Sequence, residues 1–239
     1  MVFSIFKKKK EQKFEIKPYS FKEGFESLYS HFVDNFPEEL EKAKIEFINL
    51  TGQFDDEHEN FNVKMDDFRN WFVFFYMYQE KPYYMLETIK DTKELSHLHK
   101  PLSSGIYSVF QISKIKNDNL ILKDLIFKES YEVTDSLHAL SHEEGDYIQT
   151  SIFQTDVDNY TMALSIISHP NKAKSFIYKK VKKLVKANKK DSEKLVRDSV
   201  ALLQELMAMR YQLYKYKQIS VDKIYSDSPL IKSGVNSNK

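Results

Sequence analysis

The 239-residue chain is 41% hydrophobic and 14% aromatic, which supplies a real core and argues against wholesale disorder. Its five Gly and six Pro argue against a turn-dense, all-β protein. The absence of Cys excludes disulfides, thiolate nucleophiles, zinc–cysteine sites and iron–sulfur clusters, and makes a reducing cytoplasm the simplest compartment. The formal net charge is only +1, carried by 36 basic residues of which Arg69, Arg197 and Arg210 alone are arginine.

The chain starts with a short apolar run, Met1 to Phe6, followed by Lys7–Lys10. The charges follow the apolar residues, the reverse of a signal peptide, and Val2 excludes N-myristoylation. Residues 1–19 read as a flexible basic tail; contact with an anionic membrane surface is the weaker reading. No stretch reaches the roughly 20 apolar residues of a transmembrane helix.

Residues 20–100 read as a helical region. Phe21, Phe25, Leu28 and Phe32 recur at helical spacing, and Pro37 starts a second helix that carries Leu40, Ala43, Phe47 and Leu50 and closes at Thr51-Gly52. A third helix through Phe61, Phe68, Trp71, Phe72 and Phe75 is apolar all round in its second half and is expected at the centre of the fold. Trp71 is expected to be buried where these helices meet the β region. A shorter helix is expected around Tyr83–Ile89, followed by a polar linker holding His97 and His99.

From residue 101 to 170 the pattern changes to short β-rich runs: Tyr107–Ile115, Leu120–Phe127, Tyr131–Thr134, Tyr147–Gln154 and Tyr160–Ile167. Turn chemistry at 116–119, 143–146 and 156–159 separates them. Five such strands predict a small antiparallel barrel, SH3-like or OB-like. Asp124, between Leu122 and Leu125, is expected to turn its carboxylate onto backbone N–H groups of a loop.

Residues 171–218 read as a basic helix and a heptad helix. The first has Phe176, Ile177, Val181 and Leu184 as its apolar stripe. The second, capped by Asp191 or Ser192, places Leu195, Ser199, Leu202, Leu206, Met209 and Leu213 on one seam. Nearly three heptads fit a helix packed on its own domain better than an intermolecular coiled coil. Residues 219–239 read as a disordered tail. The predicted class is therefore α+β: N-terminal helices, a central five-stranded barrel and a C-terminal helical hairpin.

Few chemical motifs emerge. No two Gly lie close enough for a phosphate-cradling loop, no G-x-S-x-G elbow exists, and no cofactor motif is present. His138 and His142 are four apart, but Ala139 stands where a zincin needs Glu, and Asp156-x-Asp158 reads as a hairpin turn. A metal-dependent hydrolase built on His138, His142 and Asp124 is only a foil, and no catalytic, cofactor or metal residue is assigned.

Charge gives a stronger signal. Residues 20–68 hold thirteen acids and four Lys, whereas residues 172–190 hold nine Lys and no acid. The candidate anion or nucleic-acid contacts are Lys179, Lys182, Lys183, Lys186, Lys189 and Lys190. The same helix could instead pair with the acidic N-terminal helices.

Several motifs appear in a familiar order: Phe68-x-x-Trp71-Phe72-x-Phe74-x-Tyr76, Gly105-x-Tyr107-x-Val109-Phe110, Leu122-x-Asp124-Leu125, Tyr131-x-Val133 and Gly145-Asp146. Over residues 20–170 the chain resembles a group of uncharacterised bacterial proteins, some carrying a C-terminal SEC-C zinc motif. The resemblance implies a helical segment with a W-F-x-F-D-Y signature before a small β module, and a binding or accessory role. Phe75 replaces the Asp of that signature, and without Cys the zinc tail is missing, so no metal role carries over. The leading expectation is a cytoplasmic, non-enzymatic adaptor that engages another protein through its barrel edge or helical hairpin. Nucleic-acid binding through residues 172–190 is the alternative.

Overall fold

A computed structural model describes residues 21–53, 60–76, 85–116, 119–134, 141–154 and 159–228. Helix α1 (Phe21–Asn35) buries Phe25, Leu28 and Phe32, spaced three and four apart. Pro37 opens α2 (Pro37–Thr51), whose missing N–H costs nothing in the first turn. Leu40, Ala43 and Phe47 are buried, and Gly52 ends α2 at φ 93°, donating its N–H to the Ile48 carbonyl at 2.7 Å. Helix α3 (Phe61–Phe75) is buried along Phe68, Trp71, Phe72 and Val73, as its apolar second half requires.

The segment Met85–Ile89 forms a 3-10 turn. The expected polar linker is α4 (Ser96–Ser103) instead, with Leu98 and Leu102 buried and His99 facing Glu87 at 3.1 Å. Two Leu four residues apart suffice to dock a short helix, although His, Lys and Pro dominate its composition.

Five strands follow: β1 (Ile106–Lys116), β2 (Asn119–Asp124), β3 (Ser130–Thr134), β4 (Tyr147–Gln154) and β5 (Asn159–His169). They close into a barrel in the order β1-β2-β3-β5-β4. The expected barrel is present, but it is mixed and not purely antiparallel, because β3 and β5 pair in parallel. The reason lies in the 143–146 turn. Gly145, at φ 91°, donates to the Ile112 carbonyl at 2.7 Å, and the Ile112 N–H donates to the Asp146 carbonyl at 2.9 Å. That docking feeds β4 onto β1, so β5 returns between β4 and β3 and runs parallel to β3. Register shifts after Ile112 and Thr150 add the bends that closure needs.

Phe110, Ile112, Leu120, Leu122, Ile148 and Ile152 fill the barrel interior. Helices cover its outer wall at β4, which is buried on both faces from Ile148 to Phe153, whereas Ser130, Glu132 and Thr134 of β3 face water. Phe153, Ala163 and Ile167 join the core of α1–α3. On the wall near Val109 pack α5 (Lys174–Ala187), α6 (Ser192–Lys215) and α7 (Val221–Ile224). Asp191 caps α6, accepting from the Lys194 N–H at 2.9 Å. Helix α6 lies between the two helical layers: Met207 and Tyr211 belong to the N-terminal core, and Leu202, Leu206 and Met209 to the C-terminal one. The tail expected from residue 219 begins as ordered chain, with Ile224 and Tyr225 buried against α5 and α6.

Candidate anion-binding face

Pro170 ends β5, and a 3-10 turn (Asn171–Ala173) leads into α5. At 100° per residue, Ile177 and Val181 point to the barrel side and are buried, while Lys179, Lys182, Lys183 and Lys186 share the opposite face. All four are exposed, as are Lys189 and Lys190 in the turn beyond. Two lysines on the flanks hold the helix in place. Lys174 reaches Asp146 at 3.3 Å, and Lys180 reaches Glu205 at 2.9 Å and Asp227 at 3.0 Å. Those two carboxylates keep the Lys180 pKa raised against the effect of its burial, although burial is the largest single influence on it.

Among the described residues, none of the six exposed lysines lies within ion-pair distance of a carboxylate. The acids of the N-terminal layer have partners nearer to hand. Glu26 pairs with Arg69, Glu39 with Lys42, and Glu41 with Lys44. The stripe of apolar side chains that seats α5 is thus separate from the stripe that faces water. The exposed Tyr178 stands beside the lysines.

The other candidates come apart. His142 is hydrogen-bonded to Ser168 at 2.9 Å and to Ser141 at 2.9 Å. His138, Asp156 and Asp158 lie outside the described residues. Asp124 is where its sequence context places it: one carboxylate oxygen accepts from the Ser108 hydroxyl (2.8 Å) and from the N–H groups of Ile126 (2.7 Å) and Phe127 (2.9 Å). Burial pushes its pKa up to about 6, against those three hydrogen bonds. Among the described residues no three His, Asp or Glu gather as a metal site would require.

Sequence reasoning missed a second polar site, where α3 meets the barrel and α6. The hydroxyls of Ser165 and Tyr211 donate to the two carboxylate oxygens of Asp67. Gln149 donates to the Tyr107 hydroxyl and to the Leu203 carbonyl, the latter at 3.0 Å. Burial lifts the Asp67 pKa to about 7. Lys64, one turn before it, donates to the Gly52 carbonyl at 2.9 Å, and burial holds its pKa down at about 8. Asp67, Asn70, Trp71, Tyr107, Gln149 and Ser165 line a cavity of about 10 Å³, into the size range of one water and far below that of a substrate. Lys64, Asp67 and Asn70, three apart and buried on one face of α3, were the signal for this junction.

No protein-family model, curated protein or solved structure matches the chain.

Proposed function

We propose that this is a cytoplasmic, non-enzymatic protein that holds a nucleic-acid backbone against the lysine face of α5. The observation that carries the reading is the row of exposed lysines with no carboxylate partner among the described residues, on a helix that buries Ile177 and Val181 against the barrel and α6. Lysine is a hydrated point charge on a flexible stem, suited to phosphates in any sequence context and poor at reading bases. With Ile177 and Val181 buried, α5 keeps the centre of its apolar stripe out of reach of a lipid interface, which disfavours the membrane reading.

An adaptor for another protein is the second reading, and the surfaces first considered for it are engaged within the chain. The barrel is closed, and the heptad seam residues Leu202, Leu206 and Met209 are buried. A protein partner that used this face would be acidic and meet the same lysines.

The experiment is a binding titration with mixed-sequence DNA and RNA. Affinity should be independent of sequence, and six phosphate contacts should lose on the order of a thousandfold between about 50 and 200 mM salt. Glu substitution at Lys179, Lys182, Lys183 and Lys186 should abolish it. No binding at low salt would overturn the nucleic-acid reading and leave the acidic protein partner.

A further inference from the structure

We propose that the cavity between α3 and the barrel is a binding site for one water molecule, which bridges the Trp71 indole N–H and the Gln149 side-chain carbonyl. Asn70, Trp71 and Gln149 all line this cavity of about 10 Å³, and they are only 6%, 3% and 1% exposed. Each brings a buried polar atom with no hydrogen-bond partner among the described residues: Asn70 Oδ1, Trp71 Nε1 and Gln149 Oε1. Their polar neighbours are already engaged. Asp67 accepts from Ser165 and Tyr211, and the Gln149 amide nitrogen donates to Tyr107 and to the Leu203 carbonyl.

The chemistry of the occupant follows from the roles of these atoms. An indole N–H can only donate. A carbonyl can only accept, so the Leu203 carbonyl at 3.0 Å fixes which end of the Gln149 amide is its NH2 and leaves the oxygen free. Asn70 offers a donor or an acceptor according to how its amide is turned. The occupant must therefore accept from Trp71 and donate to Gln149. A cation would meet the indole proton, and an anion would meet the oxygens of Gln149 and Asp67. Any organic molecule exceeds the space. Water both accepts and donates, and the volume is that of one water. Holding a water costs less than leaving a buried donor and a buried acceptor unanswered.

The site has a place in the junction. Asp67, Asn70 and Trp71 are three and four residues apart, on one face of α3. Asp67 already ties that face to Ser165 of β5 and to Tyr211 of α6. The water adds the missing tie to β4, through Gln149. It uses none of the exposed lysines and stands whether or not they bind a nucleic acid.

A crystal structure of the wild-type chain, at a resolution that shows ordered waters, tests the placement. The expected result is one water within about 2.7–3.2 Å of both Trp71 Nε1 and Gln149 Oε1. In solution, Trp71 is the chain's single Trp, so its indole proton is a unique reporter. That proton should show NOE and ROE signals of opposite sign at the water frequency, the mark of a water that tumbles with the protein. The crystal position excludes relay through the hydroxyls of Tyr107 or Ser165. A dry cavity, a protein group bonded to Trp71 Nε1, or density that refines as a cation on Asp67 would each overturn the proposal. So would an indole proton with no signal from water in either experiment.

Discussion

Two carboxylates sealed against the barrel and four lysines on α5 treat charge in opposite ways. Asp67 and Asp124 are buried and receive hydrogen bonds from two or three donors each, drawn from different segments of the chain. Lys179, Lys182, Lys183 and Lys186 stand in water, three and four residues apart, with like charges as neighbours. A buried, bonded charge helps specify the fold and is costly to leave half-satisfied. An exposed row of one sign contributes nothing to packing and repels itself, so its reason lies outside the chain. Removing the buried acceptors should therefore destabilise the fold, whereas neutralising the exposed row should stabilise it.

The largest effect is expected at Asp124. Ala at this position leaves the Ser108 hydroxyl and the N–H groups of Ile126 and Phe127 without their acceptor inside the barrel wall. The loss should be about 3–5 kcal/mol. Asn keeps the accepting oxygen that all three bonds use, but its NH2 would replace an Oδ2 buried without a partner, so Asp124→Asn should cost about 1–3 kcal/mol, less than Ala. Urea denaturation of the two variants decides the matter. Equal losses would mean that the charge and not the acceptor is what the wall needs.

Asp67 sharpens the comparison through pH. Its folded pKa is raised from 3.8 to about 7, so folding disfavours the ionised form. This group's contribution is most favourable below about pH 4 and declines as pH rises towards 7, the reverse of a salt-bridged carboxylate. Asp67→Asn cannot ionise. Between pH 4 and 7.5 the stability of the variant should rise relative to wild type by about 3–4 kcal/mol. Chemical denaturation at the two pH values measures that difference, and parallel pH profiles would show that Asp67 is stably ionised where it lies.

What could be read from the sequence was whatever depends on local pattern. The period-two runs found all five strands to within three residues at either end, and helical spacing found the helices that bury Phe32, Phe47 and Trp71. Trp71 and Asp124 could be placed because their immediate neighbours fix their environment. The parallel β3–β5 closure could not, since it depends on a turn at Gly145 docking onto Ile112, more than thirty residues away. Helix α4 and the ordered chain through Ile224 escaped notice because two apolar residues in a polar setting carry their burial. The Asp67 junction joins side chains from α3, β5 and α6, so only tertiary structure assembles it. The lysine face was legible as composition, and its lack of carboxylate partners among the described residues was not.

The smallest effect, and the one with the opposite sign, is expected on α5. Lys179 with Lys182, Lys179 with Lys183, Lys182 with Lys186, and Lys183 with Lys186 are like-charge pairs at the two spacings where helix side chains meet. Each such pair costs about 0.2–0.5 kcal/mol at low salt. Replacing all four lysines by Gln keeps the helix propensity and leaves Ile177 and Val181 in place, so the helix should remain seated. The variant should be more stable than wild type by about 1 kcal/mol in low salt, with the gain fading as screening shortens the reach of the charges. If these lysines instead neutralised Glu38 and its acidic neighbours, the same variant would lose stability and the loss would shrink with salt. Thermal melts at two ionic strengths read the sign directly. A gain on neutralisation means that the fold carries the lysine face at its own expense, as expected of a surface kept for a negatively charged partner.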